Sequence, residues 1–216
     1  MRSLHQLFLD SIHEQRSIGA GPATQRLLAA QTEFESDVDV LNYALTLEHL
    51  EASFYEQFAG EFDLGEDPFN NRIEDKIAEI LEHEVAHVET LTQVITDLGG
   101  EPVEAAEYDF GVTDANSFLA TAAAVENLGV SAYDGAASAI EDRDLLTAAG
   151  SIAAVEGRHA AYLNVVIGES PFPDAFEEAL PPEEVLDVAT QFIVAEDGEA
   201  TPEEGEALED EATPEN

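Results

Sequence analysis

HEVAHVETL, residues 83–91, puts Glu84 and His87 one helical turn apart. Working outward, Ile73, Ile77, Ile80, Glu84, His87, Leu91, Val94 and Leu98 recur at steps of three and four, the period of a helix face turned to a core. Three other stretches carry such a stripe. The first is Val38, Leu41, Leu45, Glu48, Ala52, Tyr55. A third is Leu119, Ala122, Glu126, Val130, Tyr133, Ala137, Ile140, and a fourth Leu145, Ala149, Ile152, Glu156, His159, Leu163, Val166. No stretch of convincing length alternates as a strand would, so the fold class is all-α, a bundle of four long helices.

Local signals bound the helices. Ser36, Asp114 and Asp142 are N-cap residues, DPFNN precedes the second helix, and Gly60, Gly99-Gly100 and Gly168 are stops. The linker 99–113, long and polar, predicts a crossover. Residues 1–35 read as an N-terminal arm with short helices, 36–168 as the bundle, and 169–195 as a C-terminal segment whose short helix opens at Pro181-Pro182. Residues 196–216 have the composition of a disordered acidic tail.

Glu-x-x-His alone is weak evidence. With 32 glutamates and six histidines in 216 residues, about one match arises by chance, and two are present, Glu84/His87 and Glu156/His159. Their order decides the matter. LEHLEASFY (47–55) and VENLGVSAY (125–133) share Glu, Leu, Ser and Tyr at the same offsets, and HEVAHVETL and VEGRHAAYL (155–163) share Glu, His and Leu. The chain is an internal duplication. Glu48, Glu84, Glu126 and Glu156 each lie some 12 to 14 residues into their helices, roughly 18–21 Å along, so side-by-side helices bring them to one level.

Several ionised carboxylates in an apolar layer cost several kcal/mol each and repel one another. Two divalent cations bring four positive charges against four glutamates, with two imidazoles as neutral ligands. A dinuclear metal site built from Glu48, Glu84, His87, Glu126, Glu156 and His159 is therefore expected. There is no cysteine, so thiolate sites and disulfides are excluded and the ligands must be oxygen and imidazole.

The whole chain carries 48 acidic and seven basic residues, a formal charge of -41. Nucleic acid and anionic membranes are excluded as natural partners. No apolar run reaches membrane-spanning length, and the N-terminus lacks the pattern of a signal peptide, so a cytoplasmic protein is expected. Without the ten acids after Ala195 the charge is still -31, so the folded body is itself acidic. Such self-repulsion is tolerable where molar salt cuts the screening length to about 3 Å, which points to a host with a salt-rich cytoplasm.

LNYALTLEHLEASFYEQ followed by EHEVAHVETL resembles the ferritin-like superfamily of dimetal-carboxylate bundles over residues 36–168. Within it, the resemblance is greatest to the ferritin-like domain family that includes desiccation-related proteins, in a halophilic version. It implies two iron or manganese ions, with Glu84 and either Glu126 or Glu156 as bridges, and Tyr55 and Tyr133 as hydrogen-bond donors to ligand carboxylates across the bundle. Two Glu-x-x-His motifs are similar to bacterioferritin, rubrerythrin and manganese catalase rather than to animal ferritin. Rubrerythrin's extra carboxylate on the third helix is replaced by Gly129. The matching residue of the first helix, Glu51, is open to a role as an extra ligand, but reads first as a solvated surface residue, as do His49, Glu82, His83 and Glu89. Arg158 is open to a carboxylate partner beside the site or an exposed ion pair.

The resemblance implies an oxidoreductase acting on a small-molecule oxidant, peroxide or dioxygen, or on ferrous iron, in stress protection. A homo-oligomer is open, and a storage cage or a non-catalytic desiccation-type structural protein are the alternatives. From the charge alone, folding should weaken sharply below molar salt while clipping the tail after Ala195 changes little. Melting temperatures at about 0.1 M and about 3 M KCl, where screening differs severalfold, check this, and equal values would contradict it.

Overall fold

The structure, a computed structural model, describes residues 34–194. The arm at 1–35, apart from its last two residues, and the tail at 196–216 lie outside the described residues. Four long helices are present: α1 Asp37–Phe58, α2 Ile73–Asp97, α3 Ala115–Ala136 and α4 Arg143–Val166, followed by a short α5, Pro182–Ala189. Among the described residues there is no strand, only the isolated bridges Glu66–Arg72 and Tyr108–Ile193. The all-α bundle is the observed architecture.

The helix ends have local causes. Ser36 caps α1, Asp114 caps α3 in a reciprocal capping box with Ser117, and the Asp142 carboxylate accepts from the Asp144 and Leu145 N–H groups of α4. These caps satisfy donors that the first helical turn leaves unpaired. After α1, α2 and α4 the chain turns at Gly60, Gly99 and Gly168, all at φ between 81° and 87°, where any side chain would be strained.

Helix directions follow from the contacts at the ends. A Cβ on Gly100, just after α2, would lie 2.6 Å from Val38 at the start of α1, so α1 and α2 are antiparallel. The Asp37 carboxylate accepts from the Glu141 and Asp142 N–H groups, so the α3–α4 turn meets that same end. Hence α3 runs against α1, and segment 98–114 must travel the length of the bundle. Its course is pinned to α1 where Asn42 donates to Glu101 O and accepts from Val103 N–H, and farther on to the C-terminal segment, where Asp109 N–H donates to Phe192 O.

This crossover and α5 cover a second face of α1 and α3. Val40, Tyr43, Leu47, Leu50 and Phe54 of α1 pack in one core with Tyr108, Phe110, Val185, Leu186 and Phe192. The α1 helix is thus buried well beyond the single stripe of the sequence reading. C-terminal residues approach α3 so closely that a Cβ on Gly135 would overlap Leu180 O, and Leu180 N–H donates to Ser131 O.

Inside the four helices the core has two apolar ends. Leu41, Leu45, Leu91, Ile95, Tyr133, Ala149 and Ile152 pack at one end, and Tyr55, Ile73, Ile77, Ile80, Phe118, Ala122 and Leu163 at the other. On every helix the Glu of the stripe falls between them. Phe54 holds the second end to the outer layer: it stacks on Phe118 at 5.2 Å and meets Phe110 edge-on at 5.1 Å. Phe54→Ala should destabilise the fold by about 3–5 kcal/mol, measured by denaturant unfolding.

Candidate metal centre

Glu48, Glu84 and Glu126 are each the twelfth residue of their helices and Glu156 the fourteenth. All four are fully buried. The Glu-x-x-His spacing places each histidine one turn beyond its glutamate on the same face, and His87 and His159 point into the carboxylates. His87 Nδ1 lies 3.1 Å from Glu48 Oε2, 3.2 Å from Glu84 Oε2 and 3.1 Å from Glu156 Oε1. His159 Nδ1 lies 2.9 Å from Glu84 Oε1 and 3.2 Å from Glu126 Oε2.

Two overlapping donor sets result. Glu48, Glu84, His87 and Glu156 form one, and Glu84, Glu126, Glu156 and His159 the other, each with ligand atoms within 4.8 Å of one another. Glu84 and Glu156 belong to both. Of the bridging options left open by the sequence, the shared pair is thus Glu84 with Glu156, whereas Glu126 belongs to one set alone.

The tyrosines repeat the duplication in space. Tyr55 donates to Glu126 Oε1 at 2.6 Å, and Tyr133 donates to Glu48 Oε1 at 2.5 Å. Each of these glutamates therefore turns one oxygen to a tyrosine of the opposite half and the other to the histidine of its own half.

Hydrogen bonding within the protein does not satisfy the cluster. Glu84 Oε1 and Glu156 Oε1 meet only an imidazole nitrogen each, out of line for a hydrogen bond, and Glu156 Oε2 has no partner at all. A single imidazole N–H has one proton to give and faces three carboxylates, whereas a cation serves several oxygens at once. Orphaned buried oxygens at the atoms common to both sets, with nitrogen and carboxylate donors only, fit two divalent ions.

In the side chains taken alone, burial and mutual repulsion push Glu48 and Glu156 up to about 8. Burial would also raise Glu84, but its contacts with His159 and His87 hold it down to about 2. Burial would lower His87, yet three glutamates raise it to about 12; His159 is raised to about 10 in the same way by Glu126 and Glu84.

Three residues read as surface from the sequence make contacts within the fold, two of them beside the site. Glu51 is not solvated: it is 2% exposed and its carboxylate reaches Gly129. The reason is that α1 is covered on two faces, and a residue three after Glu48 stays inside. His83 is exposed, but its Nδ1 is 2.9 Å from His159 Nε2 and the rings stack at 5.2 Å. With His159 Nδ1 turned to the carboxylates, the contact of its Nε2 with His83 Nδ1 holds the ring from outside. His49 is half-buried against the crossover, its Nε2 3.1 Å from Val103 O. Glu82 and Glu89 are exposed. Arg158 is exposed too, and donates to Ala154 O of its own helix.

The ferritin-like domain family matches residues 36–169. The chain belongs to that family. No curated protein matches it. Among the described residues no helix is long and apolar enough to cross a membrane.

The raised groups fix a pH dependence. Glu48 and Glu156 hold protons in the folded metal-free chain between their ordinary range near 4.5 and about 8, where the unfolded chain has released them. His87 and His159 likewise hold theirs from 6.5 up to about 12 and about 10. The folded state binds more protons throughout, so metal-free stability falls as pH rises. Glu84 acts oppositely, but only between about 2 and 4.5. In molar KCl the metal-free melting temperature should fall from about pH 5.5 to about pH 8.5, and fall less in Glu48→Gln/Glu156→Gln. An equal fall in both proteins would remove the cluster as its cause.

Proposed function

We propose that Glu48, Glu84, His87, Glu126, Glu156 and His159 hold two divalent iron or manganese ions, and that the loaded protein is an oxidoreductase. Its substrates would be peroxide, dioxygen or ferrous iron, in a stress-protective role within a salt-rich cytoplasm. The observation that carries the reading is the pair of donor sets sharing Glu84 and Glu156, whose buried oxygens are left without an aligned hydrogen bond. Four glutamates neutralise two divalent ions, so the buried layer reaches charge balance. Membership of the ferritin-like domain family agrees with such a centre.

Held by these residues, two redox-active ions would give electrons to a small oxidant or take them from ferrous iron. Everything else falls to the side chains. Glu84 and Glu156 fix the spacing of the two positions, and His87 and His159 each complete one. Tyr55 and Tyr133 restrain Glu126 and Glu48 by one oxygen each, which limits how those carboxylates can turn when the charge at the centre changes. Neither tyrosine is proposed as a metal ligand; both tune the centre. The apolar ends of the core keep bulk water from the cluster along the bundle axis, and His83 orients His159 from outside.

Metal-loaded protein should consume hydrogen peroxide or oxidise ferrous iron faster than the metal-free chain. Tyr55→Phe should lower the rate about tenfold with metal content near normal, and His87→Ala should lose both, with metal content read by elemental analysis. If loaded protein reacts with neither above the free-metal background, the enzyme reading fails and a structural role for the metal takes its place.

A further inference from the structure

The geometry points to Glu51 as a fifth glutamate of the metal centre and its seventh protein ligand, admitted between the two donor sets by Gly129. The inference rests on the dinuclear reading above. One turn beyond Glu48 on α1 and one turn beyond Glu126 on α3, the two helices come together across the bundle. The crossed bonds, Tyr55 to Glu126 and Tyr133 to Glu48, join the same two helices. The residues that meet there are Glu51 and Gly129.

A Cβ on Gly129 would stand 2.7 Å from Glu51 Oε1 and 3.7 Å from Glu156 Oε2. Glycine is a poor choice inside α3, where its φ is not positive and alanine would favour the helix. The carboxylate of Glu51 explains it: it occupies the space a side chain would take. The same point lies beside an orphaned oxygen of Glu156, one of the two glutamates common to both donor sets.

Glu51 differs from the other buried glutamates in its company. Glu48, Glu84, Glu126 and Glu156 each lie within 3.2 Å of a histidine Nδ1, whereas Glu51 makes no such contact among the described residues. A structural ion pair therefore does not account for its burial, whereas a cation does. A further consequence concerns symmetry. The duplication supplies matched Glu, Glu-x-x-His and Tyr sets, but position 51 is Glu and position 129 is Gly, so the two metal positions are inequivalent.

Two variants separate a ligand from a filler. Glu51→Gln keeps the shape, and Gly129→Ala displaces only the far end of the flexible Glu51 side chain. Mn(II) titration in molar KCl, followed by the signal of free Mn(II) in electron paramagnetic resonance, should show two ions per wild-type chain. In each variant one of the two should bind about tenfold more weakly or worse. The metal-free melting temperature should hold or rise in both, since Glu51→Gln removes a repelled charge and Gly129→Ala adds a better helix former. Wild-type chain that binds no Mn(II) would sink the dinuclear reading itself. Two ions bound with unchanged affinity in both variants would overturn the role of Glu51 and leave that reading standing. As a further arm, Glu51→Gly/Gly129→Glu moves the carboxylate to the matching position. Recovery of two-ion affinity supports the assignment, and affinity no better than in Glu51→Gln counts against it.

Discussion

The bundle is organised around one electrostatic constraint: five glutamates lie buried in a layer between apolar packing at both ends. Among the described residues no arginine or lysine pairs with this layer, and the exposed Arg158 bonds its own helix. Two imidazoles supply part of the counter-charge, at the expense of their own protons being held far above the ordinary range. Partial protonation of Glu48 and Glu156 supplies more. What remains is a set of oxygens with no hydrogen-bond partner, and metal-free folding is accordingly a compromise that two divalent ions would resolve.

The duplication makes this layer possible with little specific information. One Glu with a Tyr seven residues on, and one Glu-x-x-His, repeated once, generate both donor sets and both crossed tyrosine bonds when the halves pack antiparallel. A tyrosine seven residues beyond each glutamate, two turns along the same face, thereby meets the glutamate of the opposite half. Outer elements then stabilise the arrangement rather than create it. Asp37 and Asn42 fasten the loops at the open end of α1, and the crossover with α5 covers the face that the four helices leave apolar.

How far the sequence could be read depended on whether a residue's environment follows from its own helix. Caps at Ser36, Asp114 and Asp142 and the glycine stops are local, and the stripes carry Glu48, Glu84, His87, Glu126, Glu156 and His159 to one side of each helix. The structure brings those six together. Glu51 was hidden because a step of three and a step of four from Glu48 share a face, and Ala52 took the inward place on grounds of polarity. Its burial comes from the covering of α1 on two faces and from the room that Gly129 leaves on another helix, and a glycine announces no partner. The repeat did hold a signal, since Glu51 and Gly129 occupy matching positions and differ. The second buried face of α1 was legible too, in Val40, Tyr43, Leu47, Leu50 and Phe54 at the same helical steps, but nothing local said that residues 107–110 and α5 would cover it. The His83–His159 contact depends on the rotation of α2 against α4, which periodicity does not specify.

Acidic charge plays two physically separate roles in this chain. The exterior carboxylates face solvent, and molar salt reduces their mutual repulsion to contact range, about 3 Å. The buried ones lie where mobile ions do not enter, so salt concentration cannot relieve them and only bound charge can. At low ionic strength the body's net negative field would gather any cation toward the bundle and speed its capture. In high salt that attraction is screened and monovalent cations abound, so discrimination rests on the donors themselves. A site of carboxylates and imidazoles, spaced to share two glutamates between two positions, has little to offer a singly charged ion and much to offer a pair of doubly charged ones. The acidic surface and the acidic core therefore answer to salt differently: screening acts on the one and does not reach the other.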